Sequence, residues 1–279
     1  MNVLHVWGIA RAHGGRVVLR IEDHDRQRCR PEFERGVLED LEWLGFDADE
    51  APLHSYRATS SPHAYRQSDN ASRYEERLRE LAQRDLVFAC DCSRRTIAGH
   101  ASRSDAGETR YPGTCRTRTL DGRAVHGRRV RMDPGLEAFT DLRLGAFAHD
   151  PSQQCGDLLV RDRHGSWTYQ FAVTVDDMAQ GIDVIIRGED LLASTARQFR
   201  LARLLDRPSM PLVLHHSLLR HDDGAKLSKA RHDTSLRERR EAGARAHTLL
   251  GEAAFLAGLQ PSAASLSAAD VPSLFVRGS

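Results

Sequence analysis

The sequence predicts an α/β protein built on a parallel sheet with helices on both faces, and three observations lead there. Short runs rich in β-branched residues alternate with amphipathic helical stretches, the pattern of strands joined by helical crossovers. Charged residues collect where predicted strands end, the side on which such sheets hold ligands. At 279 residues the chain can bury one substantial core, with room for a segment inserted into it.

The elements follow in order. Residues 3–12 are apolar at helical spacing and stop at Gly14-Gly15, a helix-ending signal. Residues 16–22 read as a strand that empties into the acidic Asp23-His24-Asp25. Pro31 opens a helix with Val37, Leu38, Leu41 and Leu44 on one face, and Gly45 closes it. A second amphipathic helix is expected over about 69–84, then a short strand at 86–89 leading into Cys90. From residue 93 the pattern loosens into Gly, Thr, Ser and Arg with a strand at 128–132, which predicts an insertion at 89–150. Alternation then resumes, with apolar runs at 157–161 and 168–175 and a buried strand at 182–186 ending at Arg187-Gly188. A helix over 191–205, a strand over 212–215 and a helical stretch over 235–259 complete the body. The predicted layout is a core of 1–88 and 151–220, a lysine loop with a helical segment at 221–260, and a flexible, Ala/Ser-rich tail at 261–279.

Composition narrows the function. A formal charge of +1 does not by itself argue for nucleic acid. No apolar run is long enough to cross a membrane, and residues 1–10 lack a secretory signal, so a cytoplasmic monomer without a membrane partner is expected. Five cysteines, three of them clustered, fit a reducing compartment with a local metal site. Of 40 basic residues only Lys226 and Lys229 are lysines, three apart in Ala225-Lys226-Leu227-Ser228-Lys229-Ala230. That spacing reads either as a phosphate site served by compact ammonium groups or as a solvated loop.

Each further candidate has two readings. Cys90-x-Cys92 and Tyr111-x3-Cys115 offer three thiolates and a phenol for zinc, with His100 competing as the fourth ligand on chemical grounds. Arg20 and Glu22 share one face of an extended segment, where Glu22 serves either a substrate ammonium or a neighbouring arginine. Arg187 forks onto a carboxylate or pairs with Glu189 or Asp190. Tyr169 is apolar-flanked and reads as core, and the adjacent His215-His216 reads as structural. Neither Gly-x-Gly-x-x-Gly nor a P-loop lysine motif is present, which removes the dinucleotide dehydrogenases and P-loop NTPases.

Taken together, these segments resemble the class I glutamyl-tRNA synthetase family over about residues 1–259. Arg20-Ile21-Glu22-Asp23-His24-Asp25 resembles its RIEDxD segment. Val175-Asp176-Asp177, Arg187-Gly188-Glu189-Asp190-Leu191 and Thr195-Ala196-Arg197-Gln198 resemble its VDD…RGEDL…STxRQ block, and Lys226-Leu227-Ser228-Lys229 its KMSKS-type loop. The resemblance implies a Rossmann-like parallel sheet with an inserted zinc-binding subdomain and a short C-terminal helical segment. It also implies activation of glutamate by ATP with Mg2+ to glutamyl-adenylate, followed by transfer to tRNA.

Carried over residue by residue, Glu22 would hold the substrate ammonium, Tyr169 would line the amino-acid pocket and Arg187 would meet a glutamate carboxylate. Lys229, helped by Lys226, would stabilise the ATP phosphates. Structural zinc would sit on Cys90, Cys92, Tyr111 and Cys115, the resemblance favouring Tyr111 over His100. The chain ends some 50 residues after the lysine loop, too few for an anticodon-reading domain. It thus resembles those members that consist of the catalytic half and pass glutamate to queuosine at the wobble position of tRNA(Asp). A discriminating glutamyl-tRNA synthetase fragment and a catalytically impaired tRNA-binding paralogue are the alternatives. The family's first strand and HIGH-type motif precede the opening helix, whereas Leu4-His5-Val6-Trp7-Gly8 lies inside it, so a core shortened at its N-terminus is expected.

Overall fold

Two sheets organise the chain in the computed structural model, which describes residues 1–25, 29–57, 62–100, 109–120, 126–219 and 235–276. Helices α1 (Asn2–Ala12), α2 (Pro31–Leu44) and α3 (Ala71–Gln83) precede strand β1 (Val87–Cys90). Then come α4 (Arg94–His100), β2 (Gly127–Val130), β3 (Glu137–Asp141), β4 (Gly145–His149), α5 (Pro151–Gln154) and β5 (Leu158–Arg161). The chain continues through α6 (Tyr169–Ala179), β6 (Val184–Gly188), α7 (Thr195–Leu204), β7 (Leu212–His216), α8 (Leu236–Glu241) and α9 (Ala246–Leu256). Among the described residues no helix is long and apolar enough to cross a membrane.

Local chemistry accounts for the helix the sequence marks most clearly. In α2, Pro31 fits the first turn and Glu32 and Glu34 oppose the positive end of the helix dipole. Gly45 ends it at φ 85°, a left-handed position that costs glycine little. Residues 16–22 depart from expectation. They run extended but bridge only at Val18 with Glu50 and Ile21 with Arg66, so they join neither sheet. Their backbone partners are loop residues, and no described strand lies beside them to extend a ladder.

The larger sheet has the order β4-β3-β7-β6. Strands β3 and β6 run parallel to β7, and β4 returns antiparallel on the edge. The smaller sheet, β1-β2-β5, is antiparallel throughout. Sheet membership redraws the expected insertion. Strands β3 and β4, inside the expected 89–150 segment, belong to the larger sheet, whereas β5, expected in the core, pairs with β2. The run at 168–175 is helical, so Asp176 and Asp177 lie within α6 rather than at a strand end.

One apolar core holds Tyr74 and Leu81 of α3, Val130, Met132, Val160, Trp167, Phe171 and Leu201, which fastens the smaller sheet to α6 and α7. A second joins Leu4, Leu41, Leu44, Leu250 and Ala254 with Leu266 and Val271. The tail expected to be flexible is therefore docked as far as residue 276. Val271 is fully buried, Phe275 packs edge-on against His5, and burying such side chains offsets the entropy of ordering the segment.

Candidate active site and cysteine cluster

Glu22, Tyr169 and Arg187 come together from three separate segments. Arg20 and Glu22 sit on one face of the extended segment, and the Arg20 guanidinium ties it to α6. Its Nη1 donates to Asp177 Oδ1 and Gln180 Oε1, both at 2.8 Å, and its Nη2 to Glu22 Oε1 at 3.0 Å. Burial opposes the charge on Arg20, but Asp177 and Glu22 outweigh it and hold the guanidinium protonated. Burial pushes the Asp177 carboxyl above the ordinary aspartate value despite its arginine partner. Asp176 is a separate anchor, accepting from Arg73 (2.8 Å), Tyr74 (2.7 Å) and Gln67 (3.0 Å), while Gln67 also meets His24 Nδ1 at 2.7 Å. The His24 ring lies 6.2 Å from that of Tyr169.

Arg187 is the buried cation of this site. The parallel register pairs it with His215, and residues in register carry their side chains on the same sheet face. Its Nε donates to His215 Nε2 (3.0 Å), Nη1 to Gln198 Oε1 (2.7 Å) and Nη2 to Thr195 Oγ1 (2.8 Å), the last two from the first turn of α7. Gln198 is itself oriented by a bond from its Nε2 to Gln170 Oε1 at 2.8 Å. Among the described residues no carboxylate pairs with Arg187, and Glu189 pairs with Arg143 instead, at 2.9 Å. Burial lowers the pKa of Arg187 and raises that of Tyr169, whose hydroxyl engages the guanidinium. Both groups feel the negative charges of Glu22 and Asp177. An anion, a phenol and an arginine paired only with neutral groups thus converge, complementary to a zwitterion that carries an extra carboxylate.

The thiols of Cys90, Cys92 and Cys115 converge with all three sulfurs within 4.8 Å of one another. A tetrahedral zinc with sulfur at about 2.3 Å sets its sulfurs about 3.8 Å apart, so the cluster needs little adjustment to take the ion. Tyr111 is buried beside it, with its hydroxyl 3.6 Å from Cys90 Sγ and accepting from the Cys115 amide at 2.9 Å. Arg129 donates to Cys90 Sγ (3.3 Å) and lies 3.8 Å over the Tyr111 ring, and Arg118 reaches Cys115 Sγ at 3.7 Å. These cations suit a thiolate-rich site that stays anionic around a divalent ion. Sequence reading missed Arg129, because only the antiparallel pairing of β1 with β2 brings it beside Cys90. The rival ligand, the His100 side chain, lies outside the described residues, as do Lys226 and Lys229.

The family model for the catalytic domain of class I tRNA synthetases (E and Q) matches residues 2–265. The glutamyl-Q tRNA(Asp) synthetase of Nitratidesulfovibrio vulgaris is 38% identical over 265 residues, covering 91% of this chain and 80% of that protein. Its counterpart in Symbiobacterium thermophilum is 38% identical over 270 residues, with coverages of 92% and 81%. Among solved structures, the glutamate-tRNA synthetase of Elizabethkingia anophelis superposes with a TM-score of 0.77 at 23% identity, a likeness of fold. The match covers 97% of this chain and 61% of the Elizabethkingia one.

Proposed function

The chain belongs to the class I tRNA synthetase (E and Q) catalytic-domain family, and from that premise we propose that it activates glutamate with ATP and passes the glutamyl group to queuosine in tRNA(Asp). The observation that carries this reading is Arg187, a buried guanidinium whose hydrogen-bond partners among the described residues are neutral, close enough to Tyr169 and Glu22 to interact with both. In this account Glu22 takes the substrate ammonium, Tyr169 lines the pocket and Arg187 takes a carboxylate. The free carboxylate attacks the α-phosphorus of ATP, releasing pyrophosphate, and the adenylate then yields its acyl group to a hydroxyl of queuosine, releasing AMP. Lys229 and Lys226 serve the phosphates, and Mg2+ enters with ATP. The protein supplies orientation and charge, with no side-chain nucleophile in the step.

Cys90, Cys92, Tyr111 and Cys115 hold zinc in this account, and the ion's contribution is structural, fixing the loops around β1 and β2. Transfer is tested with radiolabelled glutamate, ATP and three tRNAs: tRNA(Asp) with queuosine, tRNA(Asp) without it, and tRNA(Glu). Label on queuosine-containing tRNA(Asp) alone is expected. Label on tRNA(Glu) contradicts the proposed acceptor and leaves glutamate activation standing.

A further inference from the structure

Something must offset the buried charge of Arg187 without blocking the edge that receives a ligand. Behind it stands His215, fully buried at the end of β7, and behind His215 stands Asp141 at the end of β3. Asp141 Oδ2 accepts from His215 Nδ1 at 2.7 Å and from the His215 amide at 2.9 Å. Its Oδ1 accepts from the Arg143 and Leu144 amides at 3.0 and 2.8 Å. Four donors fill the carboxylate, so it has no capacity left for a substrate.

The network fixes the tautomer. Arg187 Nε has only a hydrogen to give, so His215 Nε2 accepts and Nδ1 carries the proton that goes to Asp141. Burial lowers the pKa of His215, which keeps the ring neutral. Three of the five N–H groups of Arg187 are thereby used, leaving one on each terminal nitrogen for Tyr169 and a ligand carboxylate. A carboxylate in direct contact with Arg187 would occupy those donors. Asp141 instead acts one imidazole away, polarising His215 toward Arg187 and leaving those donors to Tyr169 and the ligand.

We propose that Asp141 and His215 are positioning residues that set the orientation of Arg187 for the carboxylate of the amino-acid substrate. The inference rests on the reading of Arg187 as the carboxylate ligand. Two measurements separate it from that reading. Nitrogen-resolved NMR of the histidine-labelled chain should find His215 protonated at Nδ1 and unprotonated at Nε2, where it accepts from Arg187. Calorimetric titration with glutamate, and separately with ATP, should then distinguish two substitutions checked for native melting. His215→Asn keeps a donor toward Asp141 but removes the acceptor for Arg187. It should weaken glutamate binding about tenfold or more with ATP affinity unchanged. His215→Gln restores an acceptor near the Nε2 position and should recover most of the loss.

An Nε2-protonated His215 overturns the inference, as does wild-type glutamate affinity in His215→Asn. If Arg187→Ala also binds glutamate normally, the functional reading of Arg187 itself fails. If Arg187→Ala loses glutamate while His215→Asn does not, only the positioning role fails.

Discussion

A buried guanidinium with no carboxylate in direct contact among the described residues is an unusual thing for a protein to keep, because an arriving anion must offset much of the desolvation cost. Arg187→Lys replaces the fork with a single ammonium that cannot reach His215, Gln198 and Thr195 together. Glutamate affinity should fall by about 100-fold, measured by calorimetry, with ATP affinity retained. Glu22→Gln removes the charge proposed for the substrate ammonium and should weaken glutamate about tenfold. An unchanged Kd in either variant contradicts the assigned role. The sequence offered Glu22 and Arg187 as candidates because each lies in a motif that resembles the family's, and Tyr169 through the resemblance alone, since its apolar flanks read as core. Asp141 was not, and His215 read only as structural. Their link to Arg187 depends on the register of β3, β7 and β6, which no local pattern encodes.

Elements were legible where one face met a core and the other met water. Helix α2 declared itself through Leu41, Leu44 and the Gly45 stop. Helix α6 concealed itself, since residues 171–177 are all buried, which erases amphipathic periodicity, and its Val173, Thr174 and Val175 resemble a strand. Sheet membership was the larger loss, because β3 and β4 look like parts of an irregular insertion until β7 pairs with β3. Between α5 and β5, Gly156 adopts φ 67°, and a Cβ there would lie 2.3 Å from the Tyr111 carbonyl oxygen. Gly156→Ala should therefore cost about 1–3 kcal/mol in a denaturation experiment and displace Tyr111 from the cysteine cluster. Elemental analysis of the purified chain should find one zinc, reduced in Gly156→Ala and in Cys115→Ala. A metal-free chain in which all five cysteines react freely with a thiol reagent would contradict the site.

Across the whole molecule, buried imidazoles set the acid response. Burial lowers His5 from the ordinary 6.5 to about 4, and lowers His63, His215 and His216 as well. The unfolded chain accepts protons at the ordinary histidine value, whereas the folded chain refuses them. Stability should therefore fall as pH drops from 6.5 toward about 4. Carboxylates held low by hydrogen bonds, Asp49, Asp141 and Asp150 among them, extend the loss below the ordinary aspartate value of 3.8. Thermal melts should show Tm beginning to decline below about pH 8, where the buried N-terminal amine resists protonation, and declining further below about 6.5 as the imidazoles do the same. A Tm that rises toward pH 5 contradicts the assignment of buried neutral histidines. Helix α7 presents Leu201 to the core beneath the small sheet and Ala196 and Phe199 to Phe139 and Val213 of the larger sheet, so both sheets should be lost in one cooperative transition.

Glutamate activation is the claim on which the rest depends, and exchange of labelled pyrophosphate into ATP by the chain reads it directly. Exchange that requires glutamate, is not supported by glutamine and disappears in Arg187→Lys is the predicted result. Absence of exchange with glutamate, or equal exchange with glutamine, would contradict it.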